Sequence, residues 1–407
     1  MPSLFQINVT ANSGSTGRIA EQINQAAAAQ GWDTYLAYGR NVQPCESKLI
    51  HVGNMLQVYE HYAEHRLFDN DGLASRLATQ QLVNKIKRIK PDVIHLHNIH
   101  DHWLNYKVLF EYLNTLDTPI VWTQHDCWAF TGGCAHFSLS GCYRWRDGGC
   151  TQGCPQKRRM KLWRCFEQTE RHFRLKRQLF TGTKNMVIVP VSHWLEGELR
   201  NGFLKEKRIQ TIYNGVDTNV FCPQDNIDDK LVKYNLRSVK YILGVATAWS
   251  DRKGFSDYCK LSKVLQADVK IVLVGLDEKK IQLAEQYGIV GLAKTESVKE
   301  LAALYSGASI VMNLSYEETF GLTTVEGFAC GTPGIVYNAT ASPELVTPET
   351  GIIVEPGNIK EVANAVQKLL SVEKPVEACR ERAVKFFDKN NKFQEYVSLY
   401  NDLIKTK

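Results

Sequence analysis

The stretch Ser315–Pro333, SYEETFGLTTVEGFACGTP, places two adjacent acids, Glu317 and Glu318, ahead of a glycine-led turn at Gly321, with a third acid, Glu326, beyond it. An ionised carboxylate accepts two hydroxyl hydrogen bonds at once, which suits the vicinal diol of a sugar or a ribose. A turn that runs straight into a helix also presents backbone amides, here those of Phe320, Gly321, Leu322 and Thr323, where a partial positive charge favours anionic or hydroxylic ligands. The plain alternative is that acids favour a helix start electrostatically, which leaves the glycines unexplained.

Three further clusters follow apolar runs. In GVATAWSDRKGF, Arg252 and Lys253 stand before Gly254 at an expected helix start. Two cations beside such amides make a diphosphate clamp, whereas a lone basic pair is ordinarily just solvated. In TANSGSTGRIAEQ, Gly14 and Gly17 flank Ser15 and Thr16 before a helix. That pattern reads as a phosphate-approaching turn or as an ordinary strand-to-helix turn with a Thr cap. In TPIVWTQHD, a strand ends on His125 and Asp126.

Two segments are unusual in composition. HDCWAFTGGCAHFSLSGCYRWRDGGCTQGCP holds Cys134, Cys142, Cys150 and Cys154 in a polar, glycine-rich loop without apolar periodicity, expected to add little core. Four thiolates suit tetrahedral structural zinc; reduced thiols or a disulfide pair remain the alternatives. IHLHNIHDHWLNY carries His95, His97, His100 and His102. No acidic or thiolate ligand shares their spacing, so a metal is disfavoured. Asn98, His100 and Asp101 are expected instead at a strand end facing an acceptor.

These clusters need a scaffold that sets them at strand ends. The 407 residues alternate apolar runs with amphipathic helices in two halves, which implies parallel sheets covered by helices on both faces. We expect an α/β chain of two doubly wound, Rossmann-like domains facing a cleft, since ligands in such sheets sit at the carboxyl ends of strands. The first spans 1–217, with the Cys-rich insert at about 127–156. The second spans 218–390. A helix over 391–407 is placed against the first. A hydrophobic content of 44% and a charged content of 23% are ordinary for a globular protein, and no apolar run reaches membrane-spanning length. The eleven cysteines, an odd count, and an amino-terminal segment without a basic, long-apolar leader point to a reducing, cytoplasmic compartment. The net charge of +6 says little about partners by itself. QKRRMKLWRCFEQTERHFRLKRQLF reads as a basic helix with interleaved apolar residues. It would rest on the inner face of an anionic membrane or, as charge runs ordinarily do, be solvated.

EETFGLTTVEGFACGTP resembles the paired-glutamate motif of retaining glycosyltransferases of family 4, which have the GT-B fold. NGVDTNVFCP is similar to that family's interdomain link, RKG to its diphosphate segment, TQHD to its first-domain histidine site, and GTPGIVYNATASPELV to the segment after the glutamates. The likeness covers nearly the whole chain. It implies that Lys253 and Arg252 hold a donor diphosphate and that Glu318 sits beside the donor sugar. It implies also that the amides of Phe320, Gly321, Leu322 and Thr323 bind sugar or phosphate, and that Glu326 takes the ribose hydroxyls. His125 would lie near the reacting carbon, and Gly14, Ser15, Thr16 and Gly17 would approach the diphosphate. The family often has an arginine where this chain has Thr247 and Ala248.

The resemblance further implies a metal-independent, retaining transfer from a nucleotide-diphosphate sugar to a glycan or lipid-linked acceptor, without a dedicated protein nucleophile. The Cys-rich loop resembles those of a subgroup in bacterial exopolysaccharide clusters, including colanic-acid-type ones. A sugar-nucleotide epimerase on the same fold is a second reading, which the glutamate pair followed by GTP disfavours. A non-catalytic zinc or nucleic-acid-binding scaffold is a third. It would want aromatic platforms among cations on a sheet face, and these are confined to one helix, so no nucleic-acid partner is expected.

Overall fold

The computed structural model describes the chain except residues 147, 157–165, 226 and 406–407. It divides into two compact units, Met1–Tyr213 with Lys392–Lys407, and Asn214–Asn391.

The first unit is built on a seven-stranded sheet: β1 (Ser3–Ile7), β2 (Asp33–Tyr38), β3 (Lys48–His51), β4 (Val93–Leu96), β5 (Ile120–Gln124), β6 (Met186–Pro190) and β7 (Arg208–Ile209). The order is β3-β2-β1-β4-β5-β6-β7, and every pairing is parallel. The central strands are buried along their whole length, as parallel strands covered on both faces must be, hence apolar runs such as MVIVP. The order reverses between β1 and β4. At such a switch point the loops after the two strands diverge and leave room for a ligand.

Helix Gly14–Ala28 covers one face, through Ile19, Ile23 and Ala27. The same apolar cluster contains Phe393, Tyr396, Val397, Leu399 and Tyr400 of the final helix, Lys389–Lys405. The last turns of the chain thus complete the core of the unit with which it begins.

The Cys-rich loop does form core, contrary to the expectation from its composition. Trp128, Phe130, Phe137 and Trp145 are all buried, with Trp145 packed edge-on to Phe130 and tilted against Phe137. Each aromatic fills its own gap, so burial here needs no periodicity. Of the basic segment, 157–165 lies outside the described residues. The part that follows is helix Thr169–Gly182, which buries Phe173, Leu179 and Phe180.

The second unit has six strands: β8 (Lys240–Val245), β9 (Val269–Val274), β10 (Val290–Leu292), β11 (Ile310–Asn313), β12 (Gly334–Tyr337) and β13 (Gly351–Val354). Their order is β10-β9-β8-β11-β12-β13, again all parallel. Its switch point lies between β8 and β11, the two strands that lead into the Arg252–Lys253 and Glu317–Glu318 segments.

Candidate functional site

In the second unit, β8 is followed by a single 3₁₀ turn, Asp251–Lys253, and then helix Phe255–Leu261. β11 is followed by Leu314–Gly321 and helix Leu322–Ala329. Gly254 lets the two segments touch. Its φ is +74°, and a Cβ there would lie 2.2 Å from the Leu314 carbonyl oxygen. Tyr316 N donates to Arg252 O at 2.9 Å, and the Arg252 guanidinium donates to Glu317 O at 3.1 Å. Lys253 Nζ donates to the Glu318 carboxylate, both side chains being about four-fifths buried. The two candidate charges therefore meet, and a phosphate arriving at Lys253 must compete with Glu318. The Glu318 backbone is held by Thr340, whose Oγ1 accepts from Glu318 N and donates to Glu318 O, each at 2.8 Å.

Glu326 lies on the second turn of helix Leu322–Ala329, where Tyr305 Oη donates to it at 2.9 Å. Gly321 caps that helix at a φ of +105°. The first bond of the ladder runs from Thr324 N to Gly321 O, so the amides of Leu322 and Thr323 lie ahead of it, as at any helix start. Phe320 is buried beside Phe387.

In the first unit, the loops after β1, β4 and β5 lie side by side. Asn98 N donates to Asn8 Oδ1 at 3.2 Å. Gly14 is exposed with a φ of +67°, while Gly17 is buried so close to the turn that a Cβ would lie 2.5 Å from Thr10 Oγ1. The second glycine thus serves packing within the turn. Ser15 is exposed and Thr16 partly so. The cap position belongs to Ser13, whose side chain makes no cap bond.

His125 is the end of a buried polar chain. Gln6 Nε2 donates to Asn24 Oδ1 and Ala20 O, each at 2.7 Å. Its Oε1 is left to accept from His97 Nε2 at 2.5 Å. Burial, and then the neighbouring His95 and His125, hold His97 well below the usual imidazole range. A neutral ring protonated on Nε2 offers Nδ1 as acceptor, so His125 Nε2 donates to it at 3.1 Å. The amide of Gln6 therefore fixes the tautomer of His125 through His97. Burial lowers His125 to about 4, so it is neutral at physiological pH. Beneath lies His95, between Tyr400 Oη at 2.6 Å and Thr123 Oγ1 at 2.8 Å.

His100 is mostly buried between two carboxylates, with Asp126 at 2.8 Å and Asp101 at 3.3 Å. Burial opposes its charge, yet the two acids raise it well above the usual range. The Asp101 side chain is about half exposed, and Arg40 lies 3.7 Å from it. Asn98 is partly buried.

Cys134, Cys142, Cys150 and Cys154 line one small cavity together with Phe137, Arg144 and Trp145. Cys134 and Cys154 share a hydrogen bond, and with burial this holds the Cys134 thiol well above its usual range. Gly132 N donates to Cys150 Sγ at 3.2 Å.

Residues 16–220 match the model of Glycosyltransferase Family 4. The chain belongs to glycosyltransferase family 4. Residues 226–386 of this family member match the model of glycosyl transferases group 1. It is 31% identical over 168 residues to the putative colanic acid biosynthesis glycosyl transferase WcaC of Escherichia coli K12, covering 38% of this chain and 39% of that one. It is 28% identical over 233 residues to the N-acetyl-alpha-D-glucosaminyl L-malate synthase of Bacillus anthracis, covering 54% and 60%. The chain thus spans about two-fifths to three-fifths of the lengths of these relatives.

Among solved structures, sucrose-phosphate synthase of Thermosynechococcus elongatus aligns over 100% of both chains with a TM-score of 0.74 at 18% identity. WaaG, a glycosyltransferase of lipopolysaccharide biosynthesis, aligns over 98% and 99% with a TM-score of 0.67 at 14% identity. With these neighbours, the two parallel Rossmann-like sheets make the fold α/β, GT-B.

Sequence reasoning missed Gln6, Tyr305 and Thr340. Gln6 had a signal, a lone amide in the apolar run SLFQI; the other two meet the site only through tertiary packing.

Proposed function

We propose that this family 4 member transfers a sugar, with retention, from a nucleotide-diphosphate sugar to a growing glycan of a bacterial surface polysaccharide. The observation that carries the reading is the meeting of Lys253 with Glu318 at the switch point of the second sheet. An ammonium and helix-start amides there stabilise the charge that develops on a leaving diphosphate, and Glu318 lies where a donor sugar would follow. Arg252 is partly engaged by Glu317 O and serves by holding that segment as well as by its charge. Glu326, oriented by Tyr305, takes the ribose hydroxyls.

A neutral His125 protonated on Nε2 orients the donor sugar without adding charge near an oxocarbenium-like centre. The acceptor hydroxyl attacks the face that the diphosphate leaves, and a phosphate oxygen takes its proton. A solved neighbour, Alr3699/HepE of Anabaena, holds UDP and glucose, which supports a nucleotide-sugar donor for this chain. Proton NMR of the product, formed with no added Mg²⁺ or Mn²⁺, tests the mechanism. Inversion of the anomeric centre, or dependence on added divalent ion, would sink it.

The four cysteines would hold a structural zinc, replacing their protons as it binds; release of no zinc on thiol oxidation would contradict this. No helix among the described residues is long and apolar enough to cross a membrane. Peripheral contact with a membrane bearing a lipid-linked acceptor would be made by the basic stretch that includes helix Thr169–Gly182, where Phe166, Arg171 and Arg174 are exposed. Vesicles of anionic lipid should co-sediment the chain, and Arg171→Glu with Arg174→Glu should abolish that.

A further inference from the structure

We propose that His65, Asp71 and His102 form a second metal site, for a divalent transition-metal ion of the Zn²⁺ class, that fastens helix Met55–Phe68 to the loop after β4. Asp101, next to His102 in the sequence, pairs instead with His100 and Arg40. The fold supplies Asp71 from the turn after that helix. One ligand-type atom from each of the three lies within 4.8 Å of the others, the one such grouping among the described residues.

His65 Nδ1 is 3.8 Å and His102 Nε2 3.9 Å from Asp71 Oδ1. These gaps are too wide for hydrogen bonds. They lie close to the roughly 3.3–3.6 Å that separates ligands bound at about 2.0–2.2 Å to one tetrahedral ion. His102 Nε2 is buried and makes no hydrogen bond.

The surroundings prepare the donors rather than compete for them. Trp128 Nε1 donates to Asp71 Oδ2 at 3.2 Å, which orients the carboxylate and leaves Oδ1 towards the histidines. His61, stacked edge-on to His102 at 5.7 Å, is not a ligand. Its Nδ1 pairs with Ser75 Oγ and its Nε2 accepts from Gly72 N, each at 2.9 Å.

The three side chains keep 16–21% of their surface exposed, which admits the ion and leaves a position for water. Two nitrogens and one carboxylate oxygen suit Zn²⁺ or Co²⁺ over Ca²⁺ or Mg²⁺. The metal would hold the loop that carries Asn98, His100 and Asp101, and this does not depend on the reaction proposed above.

Cobalt titration of the chelator-stripped full chain tests the site and separates it from the cysteines. Cobalt bound by nitrogen and oxygen shows only weak d–d bands, whereas cobalt bound by thiolate adds intense sulfur-to-metal charge transfer. The parent should bind one Co²⁺ without thiolate character, and Cys142→Ser should retain it. His102→Ala and Asp71→Asn should lose it, and Trp128→Phe should weaken it by about 10–100-fold. His65→Gln, on the partly exposed end of its helix, serves if a buried variant fails to fold. Purely thiolate cobalt in the parent, or a His65→Gln variant that binds as the parent does, would overturn the proposal.

Discussion

Gly254→Ala tests whether the two strand-end segments of the second unit form one site. Alanine at a φ of +74° costs about 1–2 kcal/mol for the left-handed backbone. The new Cβ would also sit 2.2 Å from Leu314 O and 2.8 Å from Leu314 Cβ. Both contacts are with the backbone or the atom attached to it, so no rotamer relieves them, and overpacking of this kind adds about 1–3 kcal/mol.

The sum, about 2–5 kcal/mol, corresponds to a fall of roughly 4–20 °C in the melting of a unit of this size. Gly288→Ala is the control: its φ is +69° but a Cβ there meets nothing within 4 Å. It should lose only the backbone cost, about 2–8 °C. Relief of the clash pushes Lys253 away from Glu318 by about an ångström, enough for a loss of about 100-fold in kcat. Differential scanning calorimetry and donor turnover read the two effects. Equal melting of the two variants would refute the contact argument. A destabilised Gly254→Ala with unchanged kcat would refute the placing of the site.

Three other outcomes follow from the first unit. Because His125 is held down to about 4, kcat/KM should stay flat on its account from pH 8 to pH 5 and fall only below; an acid limb near 6.5 would contradict the buried neutral ring. Gln6→Leu strands His97 Nε2 and Asn24 Oδ1 in the core, at about 2–3 kcal/mol, and should shift the ¹⁵N tautomer signature of His125; an unchanged signature would break the relay. Lys176 is buried beneath the ring of Trp128, and burial lowers it to about 7 from 10.5. The unfolded chain therefore binds the extra proton between those values, so stability should rise with pH across that window, and Lys176→Met should remove the rise in urea titrations.

The central parallel strands were legible because burial on both faces writes them as apolar runs. The edge strands β3, β10 and β13 were not. They are short, and β3 and β10 have no fully buried run, so nothing in their composition separates them from loop. Lys253, Glu318 and Glu326 could be proposed because each follows a strand within a local motif. What the motif does not encode is who meets whom. That Lys253 pairs with Glu318 depends on β8 and β11 being neighbours across a crossover, and that His97 orients His125 depends on β4 lying beside β5. The histidine cluster shows the same limit, since Asp71 reaches His102 only through the fold. The Cys-rich loop misled because its aromatics pack without period.

The most direct test of the account is donor turnover and thermal stabilisation across a panel of nucleotide-diphosphate sugars, for the parent, Lys253→Ala and Glu326→Ala. The account predicts that one donor stabilises and is consumed by the parent. Lys253→Ala should then lose about 100-fold or more in kcat, and Glu326→Ala chiefly donor affinity. A parent that no nucleotide sugar stabilises, or variants that respond as the parent does, would contradict it.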